Sequence, residues 1–452
     1  MKKITGTSMV PAIAMAAVFG LAAVALALGQ PAPAWAKEAP GPIPHGFVLG
    51  ISQGAEEAAP FLEELGIGWT RIAITLNELT PEVLEPNLRL ADVLRNEAKV
   101  RELSARCDWR RADRRIADLL ARGIRPIPIV GHGYKQFYAR VGGKPAHPDR
   151  LGRDHYLAQM YWSVRATVER YDGDGIDDAP GLVLKVWQLE NELNQAGLTA
   201  AWGWREPGWV SGLGSAWSDW GFLTELLRTL HRAAKDADPQ ALTFMNFHTD
   251  VPDNISRLAR APGWIEAVRQ WKGYMEIVGF DSYPNYYVAD PVRGEAVGEV
   301  VRKIKAAAPG MPVWGIEIDY PSGPAERGFT PEKQAQFLRE AFDAARAAGA
   351  DGYFKFHVTG DDTHDTEITP RDLQSLATVV PLWESGRLGR LFWWALLRPA
   401  YVKNHFLDVI RTVEGYWGMI GPTGAKKPAY FTMQEIVREV DQTPAATGGE
   451  GR

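Results

Sequence analysis

Short apolar runs punctuate the chain at 46–51, 70–74, 125–130, 182–189, 242–247, 276–280, 313–318 and 352–356. Most are continuous rather than alternating, the pattern of parallel strands buried on both faces. Longer stretches between them carry apolar residues at three- and four-residue spacing, notably 155–171, 220–237, 299–308 and 332–348. Such spacing predicts helices with one buried face. Asp238-Pro239 closes the second of these, and Gly349 supplies a C-terminal stop for the last. Strands and helices thus alternate along the chain, with no repeated Rossmann glycine signature. The expectation is α/β: a closed (β/α)8 TIM barrel forming a single domain.

The N-terminus has a different pattern. Met1-Lys2-Lys3 is a short positive segment, residues 9–28 are almost wholly apolar, and Ala34-Trp35-Ala36 fits a small-x-small cleavage site. Residues 1–36 are therefore predicted to be a signal peptide and 37–44 a Pro-rich linker. The barrel is expected over 45–440, with a disordered tail at 441–452. The apolar run approaches the ~20 residues that span a bilayer, so an uncleaved anchor is the alternative. In either case the folded part is expected outside the cytoplasm, secreted or periplasmic, with no membrane span after signal cleavage.

Composition narrows the function. Of 452 residues, 46% are hydrophobic and 23% charged, which excludes a disordered or fibrous chain. Net charge is −5, from 50 basic and 55 acidic residues, so there is no basic footprint for nucleic acid. The lone Cys107 excludes an internal disulfide and a cysteine-based metal cluster. In a barrel of this class, chemistry gathers at the C-terminal ends of the strands. The fourth run ends Trp187-Gln188-Leu189-Glu190-Asn191-Glu192, and the seventh ends Trp314-Gly315-Ile316-Glu317. Two strand ends thus each deliver an acid, as glycoside hydrolysis requires: one carboxyl protonates the leaving oxygen while the other attacks or directs water. Glu190 competes with Glu192, because period two puts both on one face of a strand.

Several short motifs, taken in order, resemble the clan A glycoside hydrolases, which are retaining enzymes on a (β/α)8 barrel. They are Asn191-Glu192, the stretch from Trp314 to Ser322, Trp69-Thr70-Arg71-Ile72 and Val278-Gly279-Phe280-Asp281-Ser282-Tyr283-Pro284. The run Glu414-Gly415-Tyr416-Trp417-Gly418 with Lys427-Pro428-Ala429-Tyr430 completes the series. The resemblance implies Glu192 as acid/base, Glu317 as nucleophile and Asn191 as the partner of the sugar 2-hydroxyl. It implies that Arg71 keeps the nucleophile ionised and that Tyr283 stands beside it. The physics suits these roles, since an acid/base must keep its proton near neutral pH while a nearby cation favours an ionised nucleophile. One departure is a missing tryptophan at the end of strand eight, where members of the clan usually carry a sugar platform. Phe356 or His357 takes its place, or Phe392-Trp393-Trp394 supplies the ring.

The chain holds 17 Trp, and Trp202, Trp204, Trp209, Trp217 and Trp220 crowd the stretch after strand four. Rigid rings suit sugar C–H faces, so Trp204 and its neighbours form either a platform over the cleft or packing for a long loop. His132 and His248, at the ends of strands three and five, are candidates for bonding sugar hydroxyls or for structural roles. Asp172, Asp174 and Asp177 lie in a Gly-rich turn that resembles part of a calcium loop, without the closing Glu of an EF-hand. Any calcium there would be structural, at the bottom of the barrel; a plain solvated turn is the alternative. No cofactor and no catalytic metal are expected. The reading is an exported retaining glycoside hydrolase acting on β-linked poly- or oligosaccharide. A β-transglycosylase and a non-catalytic carbohydrate-binding barrel of envelope polysaccharide assembly are its rivals.

Overall fold

The computed structural model describes residues 46–53, 57–131, 138–196, 215–250, 261–384, 405 and 407–442. The barrel strands are β1 (Val48–Ile51), β2 (Trp69–Ala73), β3 (Arg125–Val130), β4 (Val186–Leu189), β5 (Leu242–His248), β6 (Ile277–Ser282), β7 (Val313–Ile318) and β8 (Gly352–Lys355). Each is parallel to its sequence neighbour, and β8 pairs with β1 to close the ring. A helix follows each strand: α1 (Ala59–Leu65), α2 (Arg110–Ala121), α3 (Arg153–Arg170), α4 (Trp220–Ala237), α5 (Trp264–Trp271), α6 (Ala296–Ala307), α7 (Pro331–Ala347) and α8 (Pro428–Asp441). The last helix packs between α7 and α1, which closes the outer ring. Among the described residues no helix is long and apolar enough to cross a membrane.

The barrel interior is filled by Val48, Ile127, Val186, Leu242, Phe244, Ile277, Trp314, Ile316 and Phe354. Trp314 is the centrepiece, stacked with Phe354 at 6.1 Å and tilted against Phe244 at 5.9 Å. Two glycines make room for these rings. A Cβ on Gly352 would lie 2.9 Å from the Trp314 indole, and one on Gly50 would lie 2.2 Å from the Phe354 ring. Toward the C-terminal mouth the same inward face turns polar: Arg71 follows Trp69, Gln188 follows Val186, and Asn246 follows Phe244, each by two residues. An apolar floor thus carries a polar layer above it.

Helix α3 departs from the one-sided pattern its spacing predicts. Every residue from Tyr156 to Val168 is buried. The reason is an extra layer, in which the short helices Leu90–Val93 and Glu97–Ser104 and helix α4 all pack against it. The expected signal peptide (1–36), the expected linker (37–44) and residues 443–452 lie outside the described residues.

Candidate active site

Strand β7 carries a local insertion that sets the site. Phe280 of β6 lies opposite Gly315, but the next residue, Asp281, lies opposite Glu317. Against β8 the same extra residue shows, with Tyr353 opposite Gly315 and Lys355 opposite Ile318. Trp314 and Ile316 face the barrel axis, so regular alternation would bring Ile318 in next. The bulge turns Glu317 inward instead and sends Ile318 to the layer under the helices.

Glu317 is 6% exposed and held at both oxygens. Arg71 Nη2 donates to Oε1 and the Tyr283 hydroxyl donates to Oε2 at 2.6 Å. Arg71 also donates through Nη1 to Gln188 Oε1 at 2.9 Å and Asn191 Oδ1 at 3.2 Å. Burial opposes the Arg71 charge, but its acidic neighbours, Glu317 first, hold the guanidinium above its ordinary pKa. Burial and then Glu317 push the Tyr283 phenol well up, so it stays a donor.

Glu192 stands on different ground. Strand β4 ends at Leu189, and Glu190 and Glu192 both take left-handed backbone, with φ of 58° and 52°. Strand alternation therefore does not extend to them, and the two side chains part. Glu190 lies on the α3 side, near enough to Tyr156 that, after burial, its charge does most to raise that phenol. Glu192 lies at the mouth. Its Oε1 is 2.7 Å from His248 Nδ1, its Oε2 accepts from Asn191 Nδ2 at 3.5 Å, and its N–H donates to Asn246 Oδ1 at 3.2 Å. Asn194 braces the His248 backbone at 2.9 and 3.0 Å. Glu192, Glu317 and Asp281 each place one carboxylate oxygen within 4.8 Å of the others.

Of the residues expected at the site, Glu192, Glu317, Asn191, Arg71, Tyr283 and His248 come together. His248 meets Glu192 itself, a contact the strand-end position did not foretell. His132, Trp202, Trp204 and Trp209 lie outside the described residues, as do Phe392, Trp393 and Trp394. Trp217 and Trp220 make packing contacts: Trp217 donates to the Tyr138 hydroxyl at 2.8 Å, and Trp220 stacks on Trp271 at 4.1 Å. At strand eight, Phe356 stacks on His357 at 4.0 Å and meets Tyr283 edge-on at 5.6 Å. Burial, then Lys355 and Arg71, lower the His357 pKa to about 3, leaving a neutral ring.

Gln188, Asn246 and Asp281 were missed by the sequence reading. Their signal was a polar residue inside an apolar strand, where burial demands a partner. The calcium expectation also needs correction. Asp178, not Asp177, gathers with Asp172 and Asp174, while Asp177 pairs with Arg101 at 2.7 Å. The turn is closed by its own backbone: Asp178 accepts from Gly173 and Gly175 N–H at 3.0 and 2.6 Å, and Asp174 from Ile176 N–H at 2.7 Å.

No family model matches the chain, and no curated protein matches it in sequence. Its fold does match solved structures. A GH5_18 protein from Streptomyces cattleya, in complex with GlcNAc, superposes with a TM-score of 0.54 at 13% identity, covering 89% of this chain and 82% of that one. A GH5_18 protein from Bifidobacterium longum subsp. infantis gives 0.52 at 14%, with coverages of 89% and 81%. The exo-beta-1,4-mannosidase Op5Man5 from Opitutaceae bacterium strain TAV5 gives 0.51 at 14%, with coverages of 90% and 62%. These neighbours are clan A glycoside hydrolases on a (β/α)8 barrel. At such identities the likeness is one of fold, and function has to be argued from the site.

Proposed function

We propose that the protein is an exported retaining glycoside hydrolase that cleaves β-glycosidic bonds of a poly- or oligosaccharide by double displacement. The observation that carries this reading is the carboxyl pair. Glu192 and Glu317 bring oxygens within 4.8 Å of each other across the barrel mouth. Retaining enzymes hold their carboxyl groups ~5–5.5 Å apart and inverting ones ~6.5–9.5 Å, to admit a water. The close approach favours the retaining geometry.

The surroundings of each acid suit a different role. Glu317, bonded to a guanidinium and a phenol, is the nucleophile. Its oxygen attacks the anomeric carbon as the bond from that carbon to the leaving oxygen breaks. Glu192 gives its proton to the leaving oxygen. Water then attacks the same carbon, Glu192 takes the water's proton, and the Glu317 carboxylate departs. Asn191, bonded to Arg71 and Asn246, is placed to meet the sugar 2-hydroxyl. For substrate class, two solved neighbours hold GlcNAc and Manb1-4GlcNAc, which makes short β-mannosyl oligosaccharides the first candidates. Export rests on the N-terminal segment 1–36.

The test is product release from a panel of β-linked oligosaccharides and aryl glycosides, wild type beside Glu317→Gln. Turnover of any member that vanishes in the variant supports the reading. Turnover that survives assigns the nucleophile elsewhere, and silence across the panel with sugar binding intact favours a binding barrel.

A further inference from the structure

The roles of Glu192 and Glu317 leave a third carboxyl, Asp281, unexplained. It is fully buried on the inward face of β6, with an oxygen within 4.8 Å of one from each of the other two. Its Oδ1 has no hydrogen-bond partner among the described residues. Its Oδ2 accepts from Asn246 Nδ2 at 2.5 Å. That bond decides which way the Asn246 carboxamide faces. With its nitrogen on Asp281 and on Asn191 Oδ1, its oxygen is left for Gln188 Nε2 at 2.7 Å and the Glu192 N–H at 3.2 Å. Glu192 needs such a hold, since a left-handed non-glycine residue costs on the order of 1 kcal/mol or more.

The charges that face Asp281 are Glu317 on β7, Glu192 beyond β4 and Arg71 on β2, with the Tyr283 phenol beyond its own strand and His248 on the far side of Glu192. Arg71 is already bonded to Glu317, and its pull on Asp281 is outweighed by burial and the neighbouring acids. Burial, then Glu317 and Glu192, push the Asp281 pKa well above the carboxylate range.

We propose that Asp281 is a positioning residue for the acid/base: it fixes the Asn246 carboxamide and, through it, the left-handed backbone from which Glu192 reaches the leaving oxygen. Carrying its own proton, it does so without adding a negative charge beside Glu317. This inference rests on the reading of Glu192 as acid/base.

Two readouts separate that role from general support of the fold. The first compares kcat/KM on an oligosaccharide with that on the matching 2,4-dinitrophenyl glycoside, whose leaving group departs without a proton. D281A is expected to lose ~100-fold on the oligosaccharide, the cost of a misplaced catalytic group, and under ~10-fold on the activated glycoside. D281N still offers an oxygen to Asn246 and is expected to recover at least ~10-fold of that loss. Asn246→Ala breaks the same link one residue along, carries the same expectation, and decides the matter should D281A not fold. Equal losses on both substrates, or no difference between D281A and D281N, overturn the proposal. The second readout is the crystal structure of D281A, or of Asn246→Ala in its place. A Glu192 backbone that has left its left-handed conformation supports the link, and one that has not moved overturns it, whether or not the protein hydrolyses any glycoside. A rearranged Glu192 in a protein that turns over no glycoside keeps the link and defeats only the acid/base reading.

Discussion

Among the described residues two triads of carboxylates stand out, and they differ in what holds them. At the mouth, Glu192 from just beyond β4, Asp281 from β6 and Glu317 from β7 are buried and are held largely by side chains from other strands. At the barrel bottom, Asp172, Asp174 and Asp178 come from one turn and accept N–H groups of that turn. Both sets bring oxygens within 4.8 Å. Proximity is therefore not what makes a reactive carboxylate. In the turn, backbone donors reach every carboxylate and settle the geometry for folding alone. At the mouth, the partners are groups that can tune protonation and still present an oxygen to a substrate.

The sharpest way to break this contrast is to remove one mouth carboxylate. Glu317→Gln is expected to reduce kcat/KM by about 10⁴-fold or more, the scale on which losing a nucleophile registers, and to lower the melting temperature because the buried Arg71 loses its carboxylate. Steady-state kinetics beside a thermal melt checks both halves. Arg71→Met comes next: breaking a buried pair leaves an uncompensated charge worth about 3–5 kcal/mol. Both kcat/KM and the urea midpoint should fall. At the other triad, Asp178→Ala removes an acceptor for two backbone N–H groups and should cost about 1 kcal/mol. Its kcat/KM should match wild type, and a loss of activity there would join the two triads into one functional unit.

The smallest effect concerns pH. Burial, then Asp172, raises the Glu169 pKa from 4.5 to about 7, and burial raises that of Asp172 from 3.8 to about 6. Both bind their protons more tightly in the folded chain. Each contributes stability that is fully present below the unfolded pKa and is lost as pH rises through the folded one. Glu169→Gln should therefore gain stability relative to wild type as pH goes from 4 to 8, read from paired urea melts. A constant difference across that range would contradict the assigned shift.

The same contrast explains what could be read from the sequence. The strands were legible because parallel strands buried on both faces are continuous apolar runs, and β3 and β7 fall on the expected bounds. Glu317 was legible as a strand-end acid. The bulge that turns it inward was not, because no residue pattern in Trp314-Gly315-Ile316-Glu317 announces an extra unpaired position. The Asn191-Glu192 order favoured Glu192 over Glu190 in the sequence, but the parting of their side chains was not legible, since alternation fails once the chain turns left-handed after Leu189. Asn246 and Asp281 were overlooked because one polar residue in an apolar strand looks tolerable until burial shows that it needs a partner. The acidic turn drew notice for the opposite reason: its carboxylates are neighbours in sequence.

The most direct test of the central claim is covalent trapping. Wild type is incubated with the activated 2-deoxy-2-fluoro analogue of a glycoside it hydrolyses, then digested and mapped by mass spectrometry. The account expects one sugar per chain, ester-linked to Glu317 in the β7 peptide. A label on any other residue, or turnover of the parent glycoside that releases the inverted anomer first, would contradict it.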